Sequence, residues 1–286
     1  MSLPRIIHRI WIGPPPTIKQ LRILINARTC IEGINVRTSI ESSNEIRRRL
    51  NDDAELWLWT TSANIFYLQR EYQLMHNIVM HDINTIWSHP FARRLPVTAL
   101  RSVYQRECRG ALHNYAAASD IVRLIILYCY GGVYLDMDVE FKTKSDMDEE
   151  IKKKSSILFS NLADIGDRLG ILGDFNGISG NGVLASKPQT EPLRCCLEDI
   201  LAMYVASTDY RDVVWREKRC YKHDGLYRKT YTVGMSGPGG IYRAMTPEQV
   251  YPIDENMYFK PIDASGRSFT QRPELLRRDS APDFEH

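Results

Sequence analysis

The sequence is poor in features that would settle its class cheaply. It has almost no charge imbalance: 37 Lys and Arg stand against 35 Asp and Glu, for a formal net charge of +2 over 286 residues. A nucleic-acid binder usually carries a strongly basic domain, so no nucleic-acid partner is expected. Six cysteines occur, at 30, 108, 129, 195, 196 and 220, without a CxxC pair or a Cys/His spacing suited to zinc. Adjacent Cys195 and Cys196 make a poor disulfide framework, which points to a reducing compartment or to none in particular. No apolar run reaches the roughly 18 residues that span a bilayer. The N-terminal Met1-Ser2-Leu3-Pro4-Arg5 lacks the apolar core of a signal peptide. A soluble protein without an ordinary export signal is expected, and delivery by a dedicated secretion machine remains compatible with that.

What is present is ordinary globular material, 43% hydrophobic and 25% charged. The length suits one large domain with a core that needs no staples. No internal repeat, linker or low-complexity tract interrupts it. Residues 5–12 read as a buried strand that stops at Gly13-Pro14-Pro15-Pro16. Residues 17–30 and 42–50 have helical spacing. Glu55–Trp59 alternates like a strand. Residues 62–82 predict a helix followed by a short strand at Ile78-Val79-Met80, and 83–109 carry mixed helical patterning. The longest helix is expected at 110–130, stopped by Gly131-Gly132, with a strand at Val133-Tyr134-Leu135 behind it. Residues 143–154 are a charged run. Further strands are predicted at 155–161, 183–185, near 230–235 and at 257–262, with a helix at 190–206. The stretch from Gly166 to Gly182 is rich in glycine, and Gly237-Pro238-Gly239-Gly240 reads as a tight turn. Strands alternating with helices predict an α/β class with a mainly parallel central sheet and helical additions. A single domain, 1–286, is expected, and 62–130 is the segment that could form a helical lobe beside the sheet.

The chemistry concentrates around residue 136. Asp136 and Asp138 follow an apolar strand, and on a strand residues i and i+2 share a face. Two like charges held together call for a cation between them, and carboxylate oxygens suit Mg2+ or Mn2+; the alternative is two acids facing solvent. On the preceding helix Asp120 and Arg123 lie three residues apart on one face. They are either a surface ion pair or a partner for phosphate and sugar oxygens. Trp11 ends the first strand and either packs at the rim or offers its face to a flat base. Asn181, in Ser179-Gly180-Asn181-Gly182, sits in a turn just before a strand. Ligands of open α/β sheets bind outside the strand ends.

At these positions the sequence resembles a known group. Asn114, Ala116-Ala117-Ala118-Ser119-Asp120-Ile121 and Arg123, then Gly131-Gly132 and Tyr134-Leu135-Asp136-Met137-Asp138, are similar to the central motif of the large clostridial glucosylating toxins. They also resemble the wider set of retaining glycosyltransferases with a DXD sugar-binding region. Ile7-His8-Arg9-Ile10-Trp11-Ile12-Gly13, Asn181–Ser186 and Ser236–Gly239 are similar to further blocks of the group. The resemblance implies a Rossmann-like GT-A catalytic domain, a UDP-sugar donor, Mn2+ or Mg2+, and retention of anomeric configuration. By motif, Trp11 would stack on uracil, and Asp120 and Arg123 would hold sugar hydroxyls, with Arg123 also near the diphosphate. Ser119 and Tyr134 would line the donor pocket. Asp136 would contact ribose and sugar, Asp138 would bind the metal, and Asn181 would sit beside the transferred sugar.

In the toxins, bulky residues flanking that asparagine favour glucose and small ones admit an N-acetyl group. Gly180 and Gly182 therefore imply UDP-GlcNAc over UDP-glucose. The toxins also close over the donor with a C-terminal Ser-x-Trp loop, whereas this chain has no tryptophan after Trp215; Ser268-Phe269 or Asp283-Phe284-Glu285 are the substitutes on offer. The acceptor divides the field. A bacterial effector, made in the bacterial cytoplasm and delivered into a host cell, would modify a host protein such as a small GTPase. A surface-polysaccharide enzyme would modify a glycan. The Ala-Ala-Ala-Ser-Asp-Ile spelling points to the first. Two readings compete from outside: a haloacid-dehalogenase-like phosphatase, whose first strand also ends Asp-x-Asp, and a non-catalytic module that binds a UDP-sugar.

Overall fold

The computed structural model describes residues 2–15, 54–71, 78–109, 113–137, 139–141, 159, 162–172, 180–206, 232–253 and 259–261. The helices expected at 17–30 and 42–50, the charged run at 143–154 and the two C-terminal closing segments lie outside the described residues, as does Asp138. Nine strands are described: β1 (Ile6–Trp11), β2 (Glu55–Thr60), β3 (Ile78–Asp82), β4 (Gly132–Leu135), β5 (Val139–Phe141), β6 (Leu169–Leu172), β7 (Val183–Ser186), β8 (Val250–Ile253) and β9 (Phe259–Pro261). The α-helices are α1 (Ser62–Glu71), α2 (Val97–Cys108), α3 (Tyr115–Tyr130), α4 (Glu191–Ala206) and α5 (Pro238–Ala244).

Seven strands form one sheet in the order β3-β2-β1-β4-β7-β6-β8. β3, β2, β1 and β4 run parallel, β7 is antiparallel to both β4 and β6, and β8 is parallel to β6. One strand, β7, is therefore reversed in a sheet that is otherwise parallel. β5 and β9 pair separately and antiparallel. From β1 the chain order proceeds to β2 and β3 on one side and to β4 on the other. That reversal is the switch point where open α/β sheets leave a crevice at their C-terminal strand ends.

The two faces of the sheet follow from the period of two along each strand. Ile10, Tyr134 and Leu184 join the large core under α3, together with residues of α2 and α4. Ile7, Val133, Leu135, Val183 and Ala185 pack on the opposite face. α3 is buried nearly all round, which its run Ile121-Val122-Arg123-Leu124-Ile125-Ile126-Leu127 requires. Asn114 caps its start, accepting from the Ala117 amide. Gly131 ends it at φ +67°, with its amide donating to Leu127 O. A Cβ on Gly132 would sit 2.5 Å from Ile6 O, so no side chain fits beside β1 there.

His8 secures this turn. Its Nε2 lies 2.8 Å from Gly131 O and its Nδ1 accepts from Trp59 Nε1 at 3.2 Å. Only the neutral ring with its proton on Nε2 satisfies both partners. Burial accordingly lowers its pKa from 6.5 to about 3, against the opposing pull of the Gly131 carbonyl.

Several expectations change. Phe159, the one described residue of the strand expected at 155–161, is helical and buried. Thr232–Met235, expected as strand, is a helical turn. The glycine-proline stretch at 237–240 is no loop but the start of α5, with Pro238 at the first helical position, where a missing N–H costs nothing. β6 was hidden inside the glycine-rich stretch. Its Gly170 is there for packing, since a Cβ would meet Ala185, Ile165 and Ile253, each at 3.1 Å. β8 was not anticipated either, with Pro252 breaking its apolar pattern. Among the described residues no helix is long and apolar enough to cross a membrane.

A histidine whose pKa is depressed on folding stabilises the fold above its unfolded value, and that contribution is lost as pH falls toward the folded one. Melting temperature should therefore fall as pH drops below 6.5 toward 3, with His8 contributing up to about 1.4 kcal/mol per pH unit. His8→Gln, which keeps a donor for Gly131, should melt with a shallower pH dependence over that window. Equal slopes in thermal melts of the two proteins would remove His8 from the account.

Candidate functional site

Strand β4 delivers the site. The ladder runs one residue past it, with Asp136 N donating to Gly182 O at 2.7 Å. Then the chain turns, and Val139 N donates back to Asp136 O at 3.1 Å. The expectation that Asp136 and Asp138 share one face of a strand depends on Asp138, which lies outside the described residues. β4 ends at Leu135, so Asp136 stands one residue past the strand.

Arg123, from α3, occupies the centre. Its Nη2 lies 3.1 Å from Asp120 Oδ1 and 3.1 Å from Asp136 Oδ1. Nη1 donates to Asn181 O at 2.7 Å and lies 3.4 Å from Asp136 Oδ2. The guanidinium carbon sits 4.6 Å from the centre of the Tyr134 ring. Burial works against its charge, but Asp136, Tyr134 and Asp120 outweigh it and hold the pKa above the ordinary arginine value.

Asp120 is buried as well and surrounded by donors. Asn181 Nδ2 donates to Oδ1 at 2.8 Å and Ser236 Oγ to Oδ2 at 3.1 Å. Burial pushes its pKa up, opposed by Arg123 and by the Asn181 and Ser236 hydrogen bonds. With every neighbour donating, the hydrogen-bond pattern is that of a carboxylate. Tyr134 donates its hydroxyl to Asp136 Oδ1 at 2.5 Å, and burial raises its pKa well above 10.0. The phenol therefore keeps its proton.

These groups open on a crevice of about 550 Å³, a size suited to a small-molecule ligand. Asp120, Arg123, Asp136 and Asn181 stand on its wall, beside the start of α3 (Asn114, Tyr115) and the segment Thr232–Pro238. The sequence-predicted residues thus converge, with three qualifications. Tyr134 lies behind Arg123, fully buried, and Ser119, whose carbonyl and hydroxyl lie 3.4 Å from the Arg123 guanidinium, also supports it from behind. Neither lines the crevice. Trp11 is half-buried at the end of β1, donates to Pro14 O at 2.8 Å and shares a small apolar cluster with Met137, Leu58 and Leu68. It adjoins the turn at 136–139 but is not on the crevice wall. Asp138 lies outside the described residues.

Two residues of this architecture were not singled out from the sequence. Ser236, which holds Asp120, carried no signal beyond its Ser-Gly-Pro context. Arg9 did, as a charge in the middle of an apolar strand. Its guanidinium is buried and donates to Asp136 O and to Val139 O, both at 2.9 Å.

The donor chemistry fits a hard divalent cation: Asp136 offers carboxylate oxygen at the crevice, with its side chain 29% exposed. Among the described residues no group of three His, Cys, Asp or Glu could hold a metal unaided. Ligand oxygens would have to complete the coordination sphere, as in magnesium sites built with substrate phosphates.

Removing the central cation should be costly. Arg123→Met leaves Asp120 buried without its counter-charge, and loss of one partner of a buried pair costs about 3–5 kcal/mol. Adding Asp120→Asn should recover part of that loss in urea unfolding. A single variant as stable as the parent would contradict the arrangement.

Residues 38–157 match the family described as "glycosyltransferase sugar-binding region containing DXD motif". No curated protein sequence matches the chain. Among solved structures, the chain is similar to the PaToxG glycosyltransferase, with a TM-score of 0.52 at 15% identity over 86% of this chain and 70% of that one. It is also similar to the glycosyltransferase domain of the YGT toxin. The UDP-bound form gives a TM-score of 0.52 and the ligand-free form 0.54, each at 14% identity over 88% of this chain and 80% of that one. At such identities the likeness establishes the fold, and the matched region favours sugar transfer over the phosphatase and non-catalytic readings. The protein is a glycosyltransferase that carries the DXD sugar-binding region on a GT-A fold.

Proposed function

We propose that this glycosyltransferase takes its sugar from a UDP-sugar, with divalent metal and with retention of configuration, and acts as a bacterial effector on a host protein. The observation that carries the donor reading is the buried cluster of Arg123, Asp120, Asp136 and Asn181 facing a crevice at the C-terminal ends of β1 and β4. The start of α3 opens on the same crevice and suits an anion such as a diphosphate. The YGT toxin domain, similar in fold, was solved with UDP bound, which supports the same nucleotide here.

Each residue then has a task. Arg123, already fixed by two acids, turns its charge toward the diphosphate and sugar oxygens. Asp120 accepts from a sugar hydroxyl, and Asn181, bonded to Asp120, lies beside the transferred ring. Asp136 meets the ribose and sugar, and with Asp138 would hold Mn2+ or Mg2+. Trp11, beside the crevice and not on its wall, has the uracil as its partner by the sequence resemblance alone. A bound divalent cation would neutralise the charge that builds on the departing UDP. The chain contributes donors fixed in advance, which need no rearrangement as that charge develops.

We favour UDP-GlcNAc over UDP-glucose, and Gly180 is the glycine that supports it. Among the described residues, a Cβ there would meet nothing closer than Gly182 N at 3.8 Å, which leaves room beside Asn181 on that side. Gly182 has a different reason to be small: its Cβ would lie 3.2 Å from Asp136 Oδ2. The acceptor reading, a host protein such as a small GTPase and not a glycan, rests on the sequence resemblance.

Hydrolysis of UDP-GlcNAc and UDP-glucose, each with and without Mn2+, tests the donor. Metal-dependent release of UDP, faster from UDP-GlcNAc, is expected, and faster turnover of UDP-glucose would overturn the sugar choice. Asp138→Ala should abolish the metal-dependent turnover; unchanged turnover would remove that residue from the metal site. Radiolabelled donor in host lysate should label protein bands, and label found on glycan alone would reverse the acceptor.

A further inference from the structure

Two consecutive buried polar residues of β1 hold the two ends of β4. Successive side chains on a strand point to opposite faces. His8 reaches the α3 face and bonds Gly131 O, immediately before β4. Arg9 reaches the other face and bonds Asp136 O and Val139 O, immediately after it. These two carbonyls stand just past the end of β4, and Asp136 O also receives the Val139 amide. A planar guanidinium presents its donors in a rigid fork, so it can span two carbonyls at a fixed separation, which a single ammonium cannot.

An arginine in a parallel strand interior is expensive to bury unless its donors are fully used. Arg9 is 2% exposed, and it donates to two carbonyls at this one strand end. Arg123 on the α3 face holds the Asp136 carboxylate; Arg9 on the opposite face holds the Asp136 carbonyl. The first acid of the pair is thus gripped at both its side chain and its backbone, from two sides of the sheet.

We propose that Arg9 is a positioning residue for the strand end: it fixes the Asp136 and Val139 carbonyls so that cation and diphosphate bind together there. It touches neither ligand and acts through Asp136 and the turn. This rests on the donor reading given above.

The test measures binding, not turnover. Titration calorimetry gives the affinity for UDP with and without Mn2+ for the parent, Arg9→Lys, Arg9→Gln and a core control, Ile86→Val, with thermal melts of all four. The parent should bind UDP more tightly with Mn2+ than without. Arg9→Lys and Arg9→Gln should lose about tenfold or more of that enhancement, the size typical of residues that orient metal ligands. Affinity without the cation should change much less. Ile86→Val, which lowers stability without touching the turn, should keep the full enhancement. An enhancement in Arg9→Lys and Arg9→Gln equal to the parent's would overturn the role. So would failure of both variants to fold, because Arg9 would then hold the sheet and not the turn. A parent protein with no enhancement at all would instead defeat the donor reading, and this inference with it.

Discussion

A guanidinium withdrawn from water between two carboxylates governs the geometry of the strand end. Arg123 has Asp120 on one side and Asp136 on the other, each 3.1 Å away, and is buried with Asp120. Neither Arg123 nor Asp120 is tolerable alone at that depth. The pairing of Arg123 with Asp136 fixes the angle at which α3 meets β4. The same cluster reaches β7 through Asn181 and the segment before α5 through Ser236. Elements far apart in sequence are thereby brought to one crevice by polar contacts, and the apolar core beneath need only supply cohesion.

Such a cluster leaves little to rearrange when ligand arrives. Arg123 is aimed by its acids, Asp120 by its three donors, and Asp136 by a phenol that keeps its proton. Fixed dipoles and charges are most effective where they do not have to be reoriented as charge develops. The cost of holding them is met elsewhere, by β1 with His8 and Arg9 at the two ends of β4 and by Gly131 and Gly132, where no side chain fits.

Much of the fold could be read from hydrophobic period and helix stops. β1, β2, β3, β4, α3 and α4 stand where the patterning put them, because long apolar runs ended by Gly-Gly or Gly-Pro leave few alternatives. The failures share a cause. β6, β8 and the start of α5 are short segments containing glycine or proline, which read as loop locally and are fixed by neighbours distant in sequence. At the site, the residue types of Asp120, Arg123, Asp136 and Asn181 were legible and their convergence on one crevice followed from topology. The turn after Leu135 was not legible, since the strand's ladder ends through a bond from Val139 that no local pattern encodes. Nor was the burial of Tyr134 behind Arg123, which depends on the pairing of β4 with β1 and β7.

The account's central claim is that the crevice organised by Arg123 receives the nucleotide sugar at the ends of β1 and β4. A crystal structure with UDP and Mn2+ addresses it directly. The account predicts the diphosphate and the cation at the Asp136 turn, with Arg123 still bracketed by its two acids. Nucleotide bound elsewhere, with the Asp120–Arg123–Asp136 cluster facing empty solvent, would contradict it.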